Sequence, residues 1–221
     1  MARIKGISAN LNAFLDMLSY AEGTSTHSLT KNDGYDVIVT GINGEEIFTD
    51  YSDHPFRGRQ PKQVNSVGLA STASGRYQFL FRDYDHYRKA LGFYGFGPEA
   101  QDKWAIQLIR ERKALPLIEA GKFREAVAAV RNLWASMPGA GYGQPEKTFS
   151  KLEAVYVMKG GSLWVSLNSS ESQLPQSLPP SSVVVQSEIQ KENPKNEAPN
   201  LLKMLKELFL LIGKLLKPKK K

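Results

Sequence analysis

The apolar residues near the start of the chain follow the spacing of an amphipathic helix that ends at a carboxylate. The residues on its apolar face are Leu11, Phe14, Leu15 and Leu18. The candidate N-caps are Ser8, Asn10 and Asn12. Glu22 follows Leu18 by four positions, so its side chain would lie on the same face, and Gly23 would end the helix. A carboxylate in that place must be paired, protonated or functional.

After this helix the pattern changes to that of short strands and then returns to helices. Residues 35–39 and 46–49 flank an Asn-Gly turn at 43–44, which predicts a β-hairpin. Residues 52–75 have no sustained period and predict a long loop. Helical spacing resumes at 79–91, 98–113, 123–134 and 146–159, with a glycine-rich stretch at 138–145. The body is therefore predicted to be α+β, mostly helical, with a small β-hairpin lobe.

The last quarter of the chain has a different pattern, so the chain is predicted to have three parts: a body at 1–168, a linker and a terminal helix. Residues 169–199 are rich in Pro and Ser and poor in large apolar residues, which predicts a disordered linker. Residues 200–221 predict a basic amphipathic helix about 27 Å long over its 18-residue periodic part. Lys206 and Glu207 fall near its middle, so it would lie at a membrane interface rather than span the bilayer.

The expected partner of this helix is an anionic membrane or lipopolysaccharide. The candidate membrane-binding residues are Lys203, Lys206, Leu208, Phe209, Ile212 and Lys214. An alternative is that the helix docks on the body or self-associates.

The composition of the chain excludes several kinds of catalytic and metal site. The chain has 221 residues, enough for one ordinary domain and an extension. It has no Cys, which excludes disulfide scaffolds, thiol nucleophiles and zinc sites built on Cys. Its three histidines, His27, His54 and His86, are too scattered to predict a metal site. We therefore expect neither a metal nor another cofactor.

The charge of the chain is concentrated at its end. The net charge is +7, and residues 201–221 carry seven Lys against one Glu. The small remaining charge of the body, without a basic and aromatic stripe, argues against nucleic-acid binding. No continuous apolar run follows Arg3 and Lys5, so we do not expect a secretory signal. We expect the protein to be made in the cytoplasm.

Several segments together resemble the endolysins of bacteriophage lambda and its relatives. They occur in the same order over about residues 10–160: AFLDMLSYAEGT at 13–24, GYDVIV at 34–39, FTDYSDHP at 48–55, GRYQ at 75–78, YRK at 87–89, ALP at 114–116 and WASMPGAGYGQ at 134–144. The resemblance implies a lysozyme-like fold and a lytic transglycosylase. Such an enzyme cleaves the MurNAc-GlcNAc β-1,4 bond of peptidoglycan glycan strands and leaves a 1,6-anhydro-MurNAc end.

The resemblance also carries implications for the biology of the protein. It implies an enzyme made in the cytoplasm of the host, released through a partner holin and active on the cell wall in the periplasm. We also expect a monomer.

Glu22 matches the catalytic glutamate of that family. Its position on an apolar helix face independently indicates desolvation and a raised pKa, so that it could donate a proton near neutral pH. The resulting carboxylate could then accept the proton of the 6-hydroxyl of the sugar. The alternative from the residues alone is a glutamate that caps the helix or pairs with an Arg.

A hydrolytic muramidase would need a second carboxylate. The candidates are Asp36, Asp50 and Asp53, on or beside the predicted hairpin. Because the resembled family works without a second catalytic carboxylate, we assign these residues to sugar binding or architecture, with Asp36 as the sugar-binding candidate. A further alternative is a cell-wall-binding module without turnover, which the retention of Glu22 argues against.

The remaining predicted substrate contacts lie in two short motifs. In the glycine-rich stretch, Gly141 would let the backbone approach a sugar, while Tyr142 offers a ring face and Gln144 an amide. The segment 75–78 resembles the Gly-x-x-Gln motif of lytic transglycosylases and places Gln78 in the cleft. Arg76 and Tyr77 are left without an assigned role.

Overall fold

The computed structural model describes residues 1–143 and 145–165. Gln144, the predicted linker 169–199 and the predicted helix 200–221 with its membrane-binding candidates lie outside these residues. The elements of the described part are α1 Ala9–Ala21, β1 Val37–Gly41, β2 Gly44–Ile47, β3 Lys62–Gln63, β4 Ala70–Ser71, α2 Phe81–Leu91, α3 Pro98–Glu111, α4 Leu115–Glu119, α5 Phe123–Val130 and α6 Phe149–Met158. The predicted class, α+β and mostly helical, is confirmed.

Helix α1 lies at the centre of the core, packed against α4 and α6. Its predicted apolar face is buried, and each Leu or Phe on it contributes about 1.5–3 kcal/mol through burial. Ser8 is the N-cap, since its hydroxyl oxygen accepts from the Leu11 N–H at 3.0 Å. Asn10 has a different role, because its side chain donates to the Ile118 carbonyl of α4 at 3.1 Å.

The predicted β-hairpin is formed by β1 and β2, which pair antiparallel with Val37 opposite Ile47. Its connecting residues are Ile42 and Asn43 rather than 43–44, and the register shifts between Ile38 and Gly41. Residues 52–75, which the sequence predicts to be a loop throughout, contain the antiparallel pair β3 and β4. Two-residue strands are too short to produce a periodic pattern, which explains why the sequence did not indicate them.

Several predicted helix ends are wrong, and local contacts explain two of the corrections. Helix α2 begins at Phe81 rather than 79, because Phe79 exchanges two backbone hydrogen bonds with Ser74. Helix α6 begins after Thr148, whose hydroxyl oxygen caps it by accepting from the Lys151 N–H. The ends of α3 and α5 come two and four residues earlier than predicted, and the short α4 was not predicted.

Two residues without an assigned role, Arg76 and Tyr77, belong to the core. Arg76 pairs with Asp16 at 2.7 Å, and the side chains of both are only 1% exposed. The Tyr77 hydroxyl donates to Asp102 at 2.7 Å, and the Tyr35 hydroxyl donates to the same carboxylate oxygen at 2.8 Å. These buried polar contacts fix the segment that carries Arg76 and Tyr77 against α1 and α3.

His54 is buried among aromatic rings, with its ring centroid 4.6 Å from that of Phe96 and 5.3 Å from that of Phe81. Burial lowers the pKa of His54 to about 4, so its side chain is neutral near pH 7. Within 1–143 and 145–165, no three His, Asp or Glu side chains are grouped to hold a metal ion. In the same residues, no helix is long and apolar enough to cross a membrane.

Candidate active site

Glu22 stands where the sequence predicted it, at the C-terminal end of α1. Its backbone N–H donates to the Leu18 carbonyl at 3.0 Å, so the helical spacing that relates these two residues is maintained. Gly23 follows with a φ of +75°, a conformation that glycine adopts without steric cost, and the chain leaves the helix there. Thr24 fixes the direction in which the chain leaves the helix, since its buried hydroxyl donates to the Arg76 carbonyl at 2.6 Å.

The carboxyl group of Glu22 has one direct side-chain partner in the described residues, the hydroxyl of Ser136, which donates to Oε1 at 2.5 Å. Glu22 forms no ion pair within 1–143 and 145–165, so the Arg-paired alternative finds no support there. Burial of the carboxyl raises the pKa of Glu22 to about 7, although the hydrogen bonds from Ser136 and the charge of Lys147 oppose the rise. A substantial fraction of Glu22 is therefore protonated at neutral pH, while the residue keeps intermediate exposure.

The glycine-rich stretch is a loop whose two ends meet beside Glu22. We call residues 136–147 the glycine loop; Lys147 N–H donates to the Ser136 carbonyl at 2.8 Å and closes it. Glu146 accepts from the N–H groups of Gly139 and Gly141 at 2.7 and 2.8 Å, and these bonds lower its pKa. The exposed carboxylate of Glu146 therefore links the backbone at Gly139 and Gly141 within the loop.

Tyr142, a predicted substrate contact on this loop, is 56% exposed. Its hydroxyl donates to the Asn132 carbonyl at 2.8 Å, which fixes the ring at the surface. Gly141, the other described candidate on the loop, has a φ of +74° and no neighbouring atom within 4 Å of the place where a Cβ would lie. The two candidates are therefore adjacent and open to solvent.

The segment Gly75 to Gln78 forms a tight turn that both sides of the site contact. Gln78 donates from its amide to the Gly75 carbonyl at 3.0 Å and has a φ of +50°, which is unusual for a residue other than glycine. Thr24 donates to the Arg76 carbonyl, and the Trp134 indole donates to the next carbonyl, that of Tyr77, at 3.0 Å. The turn thus connects the segment after Glu22 with the segment that leads to Ser136.

The three candidate second carboxylates are all engaged by neighbouring residues. Asp36 is 3% exposed and accepts from the Thr30 hydroxyl at 2.5 Å and the Lys31 N–H at 2.8 Å. Asp50 accepts from the Ser52 N–H, which lowers its pKa, and Asp53 pairs with an Arg at 2.8 Å. In the described part of the chain, none of the three shares a hydrogen bond or ion pair with Glu22.

Sequence reasoning did not single out Ser136, which contacts Glu22. It also missed Glu146, which holds the glycine loop. Ser136 lies 114 residues from Glu22, so no local pattern relates the two. Glu146 had a weak signal, since it is an acidic residue directly after a stretch of glycines whose N–H groups need acceptors.

The chain is similar to known phage proteins. The family model described as Endolysin matches residues 12–163. The endolysin of Escherichia phage P2 is 58% identical over 154 residues, which are 69% of this chain and 93% of that protein. The endolysin of Escherichia phage lambda is 50% identical over 152 residues, covering 68% of this chain and 91% of that protein.

A solved structure gives the same result for the fold. The lysozyme of bacteriophage lambda, in complex with a chitohexasaccharide, superposes with a TM-score of 0.66 at 48% identity. The match covers 72% of this chain and 99% of that protein. The lysozyme-like fold implied by the sequence resemblance is therefore confirmed.

Proposed function

The chain belongs to the endolysin family of phage enzymes, which have a lysozyme-like fold and act on the bacterial cell wall, and from this premise we propose that it is a lytic transglycosylase of peptidoglycan. The observation that carries the proposal is the environment of Glu22. Its carboxyl is desolvated, has a pKa of about 7 and lies beside a loop with exposed polar and aromatic groups. The same residue can therefore donate a proton and later accept one near neutral pH.

The reaction uses Glu22 twice. In the first step the protonated carboxyl gives its proton to the glycosidic oxygen, and the bond from that oxygen to the anomeric carbon of MurNAc breaks. In the second step the Glu22 carboxylate takes the proton of the MurNAc 6-hydroxyl, whose oxygen then bonds to the anomeric carbon. The product carries a 1,6-anhydro ring, no water is consumed, and Glu22 is protonated again.

Within the part of the chain that the structure describes, no candidate second carboxylate bonds to Glu22, which supports this route over hydrolysis. A muramidase would need Asp36, Asp50 or Asp53 to act as a nucleophile or base. In the described residues each of these carboxylates is engaged by backbone or side-chain donors of its own neighbourhood. The burial of Asp36 supports the architectural role over direct sugar binding.

The glycan strand would bind along the glycine loop and the Gly75 to Gln78 turn. The lambda lysozyme in the solved complex binds a chitohexasaccharide, and a peptidoglycan strand shares its β-1,4-linked backbone. In this chain Tyr142 would stack on a sugar ring, while the backbone of Gly141 and the amide of Gln78 would bind polar groups. Gln144 is proposed as a further contact from the sequence alone.

The C-terminal segment supplies a second proposed activity. Its apolar and basic residues at 200–221, outside the described residues, favour binding to an anionic membrane or lipopolysaccharide. The enzyme would be made in the host cytoplasm, pass the inner membrane with the help of a holin and work as a monomer in the periplasm.

The direct test of the proposed catalytic role is Glu22→Gln, measured as clearance of purified cell-wall suspensions. The amide keeps the shape of the side chain but cannot supply the proton, so turnover should fall by about 100-fold or more. The matched control is Glu125→Gln on the exposed side of α5, which should retain full activity. Folded Glu22→Gln protein that clears walls at near the wild-type rate would refute the assignment.

A further inference from the structure

We propose that Ser136 is a positioning residue for the acid step: its hydroxyl occupies Oε1 of Glu22, so that the transferable proton resides on Oε2. The inference rests on the proposed function of Glu22 and extends it to a residue 114 positions away. The geometry is a hydrogen bond of 2.5 Å from the Ser136 hydroxyl to Oε1. An oxygen that already accepts from a hydroxyl is the weaker site for the acidic proton, which the other oxygen then carries.

Ser136 is suited to this role because its backbone is held on both sides. Trp134 and Met137 are buried, and the Met137 N–H donates to the Trp134 carbonyl at 3.1 Å. The Ser136 carbonyl accepts from Lys147 at the closure of the glycine loop. The hydroxyl therefore projects from a fixed backbone and not from the exposed tip of the loop.

Ser136 and Glu22 are held in contact by the turn from Gly75 to Gln78. Thr24, two residues after Glu22, donates to the Arg76 carbonyl, and Trp134, two residues before Ser136, donates to the Tyr77 carbonyl. Both carbonyls belong to a segment anchored by buried side chains, since Tyr77 donates to Asp102. Two successive carbonyls thus fix both ends of the contact between Ser136 and Glu22.

Lys147, at the other end of the glycine loop, also affects the pKa of Glu22. Its ammonium lies 5.8 Å from the ring centroid of Tyr20, and its charge favours the ionised form of Glu22. Because Ser136 and Lys147 close the glycine loop, the groups that tune Glu22 are also the groups that attach the proposed glycan-binding loop to the body.

The test compares Ser136→Ala, Ser136→Thr and the control Ser162→Ala in steady-state assays on defined glycan strands. Loss of the hydroxyl should lower kcat about tenfold while KM stays within twofold, because a hydrogen bond to the acid is lost and the glycan contacts remain. The alkaline limb of the kcat profile should move to higher pH, since the hydroxyl bond, one of the two from Ser136 that favour the carboxylate, is gone. Ser136→Thr should restore both quantities, and Ser162→Ala, at an exposed position, should match the wild type.

The outcomes separate this inference from the proposed function. If Glu22→Gln remains active, the proposed function fails. If Glu22→Gln is inactive and Ser136→Ala keeps the wild-type kcat and pH profile, or only raises KM, the positioning role alone is overturned. Should Ser136→Ala not fold, Ser136→Cys replaces it, since a thiol is a weak donor and should lower kcat and move the alkaline limb in the same directions.

Discussion

The raised pKa of Glu22 predicts that the proposed catalytic residue destabilises the folded protein at neutral and alkaline pH. In the unfolded chain the pKa of this carboxyl returns to about 4.5, whereas in the fold burial raises it to about 7. Between these two values the folded state holds a proton that the unfolded state has released. The contribution of Glu22 to the free energy of unfolding should therefore become less favourable as pH rises from 4.5 to 7 and stay at its lower level above pH 7.

Glu22→Gln removes this dependence because its amide is neutral at every pH and can still accept from Ser136. A pKa displaced from 4.5 to about 7 corresponds to about 3 kcal/mol. Partial solvent access to Glu22 reduces the realised effect, so we expect Glu22→Gln to be more stable by about 2–3 kcal/mol at pH 8. Below pH 4.5 the two proteins should unfold with the same free energy.

Urea unfolding of both proteins at pH 4 and pH 8, followed by circular dichroism, measures this difference. Thermal unfolding offers a second measure, in which 2–3 kcal/mol corresponds to a rise in Tm of roughly 4–12 °C at pH 8 for a domain of this size. Glu125→Gln provides the control, since its exposed side chain should give the same small difference at both pH values. An equal stability of wild type and Glu22→Gln at pH 8, or a gap that does not change with pH, would refute the reasoning.

Three further predictions concern the core, the glycine loop and the terminal segment. Asp16→Ala removes a partner from the buried Arg76 and should lower the free energy of unfolding by about 3 kcal/mol in urea; a loss below about 1 kcal/mol would contradict the importance of the pair. Glu146→Ala leaves two loop N–H groups without their acceptor and should raise KM for glycan strands several-fold with kcat unchanged, whereas an unchanged KM would exclude the loop from binding. Truncation after Ser169 should preserve activity on purified peptidoglycan but abolish salt-sensitive binding to anionic vesicles, and a truncated enzyme that no longer cleaves purified walls would show that the segment belongs to the catalytic body.

The strongly periodic parts of the fold could be predicted from the sequence. The face of α1 repeats at helical spacing and ends at a glycine, so both the helix and the place of Glu22 followed from local pattern. The hairpin was recognisable because the Asn43-Gly44 pair signals a tight turn, although Gly44, with its φ of +92°, is the first residue of β2. Strands β3 and β4 could not be found, since two residues carry no period.

The site was only partly predictable for a different physical reason. The identity and apolar setting of Glu22 are local properties, but its pKa depends first on its burial in the folded core and then on Ser136 and Lys147, which the fold brings from more than 100 residues away. The sequence assigned no role to Arg76, and only its ion pair with Asp16 placed it in the core. Contacts between distant segments therefore decided what local pattern left open.

The most direct measurement of the central claim, that Glu22 alone serves as acid and then base, is the mass of the muropeptides released from purified peptidoglycan. If the MurNAc 6-hydroxyl attacks the anomeric carbon, every new end is 1,6-anhydro-MurNAc and each fragment is one water lighter than the product of hydrolysis. Fragments ending in reducing MurNAc would contradict the account, because they require an attacking water and a second carboxylate to assist it.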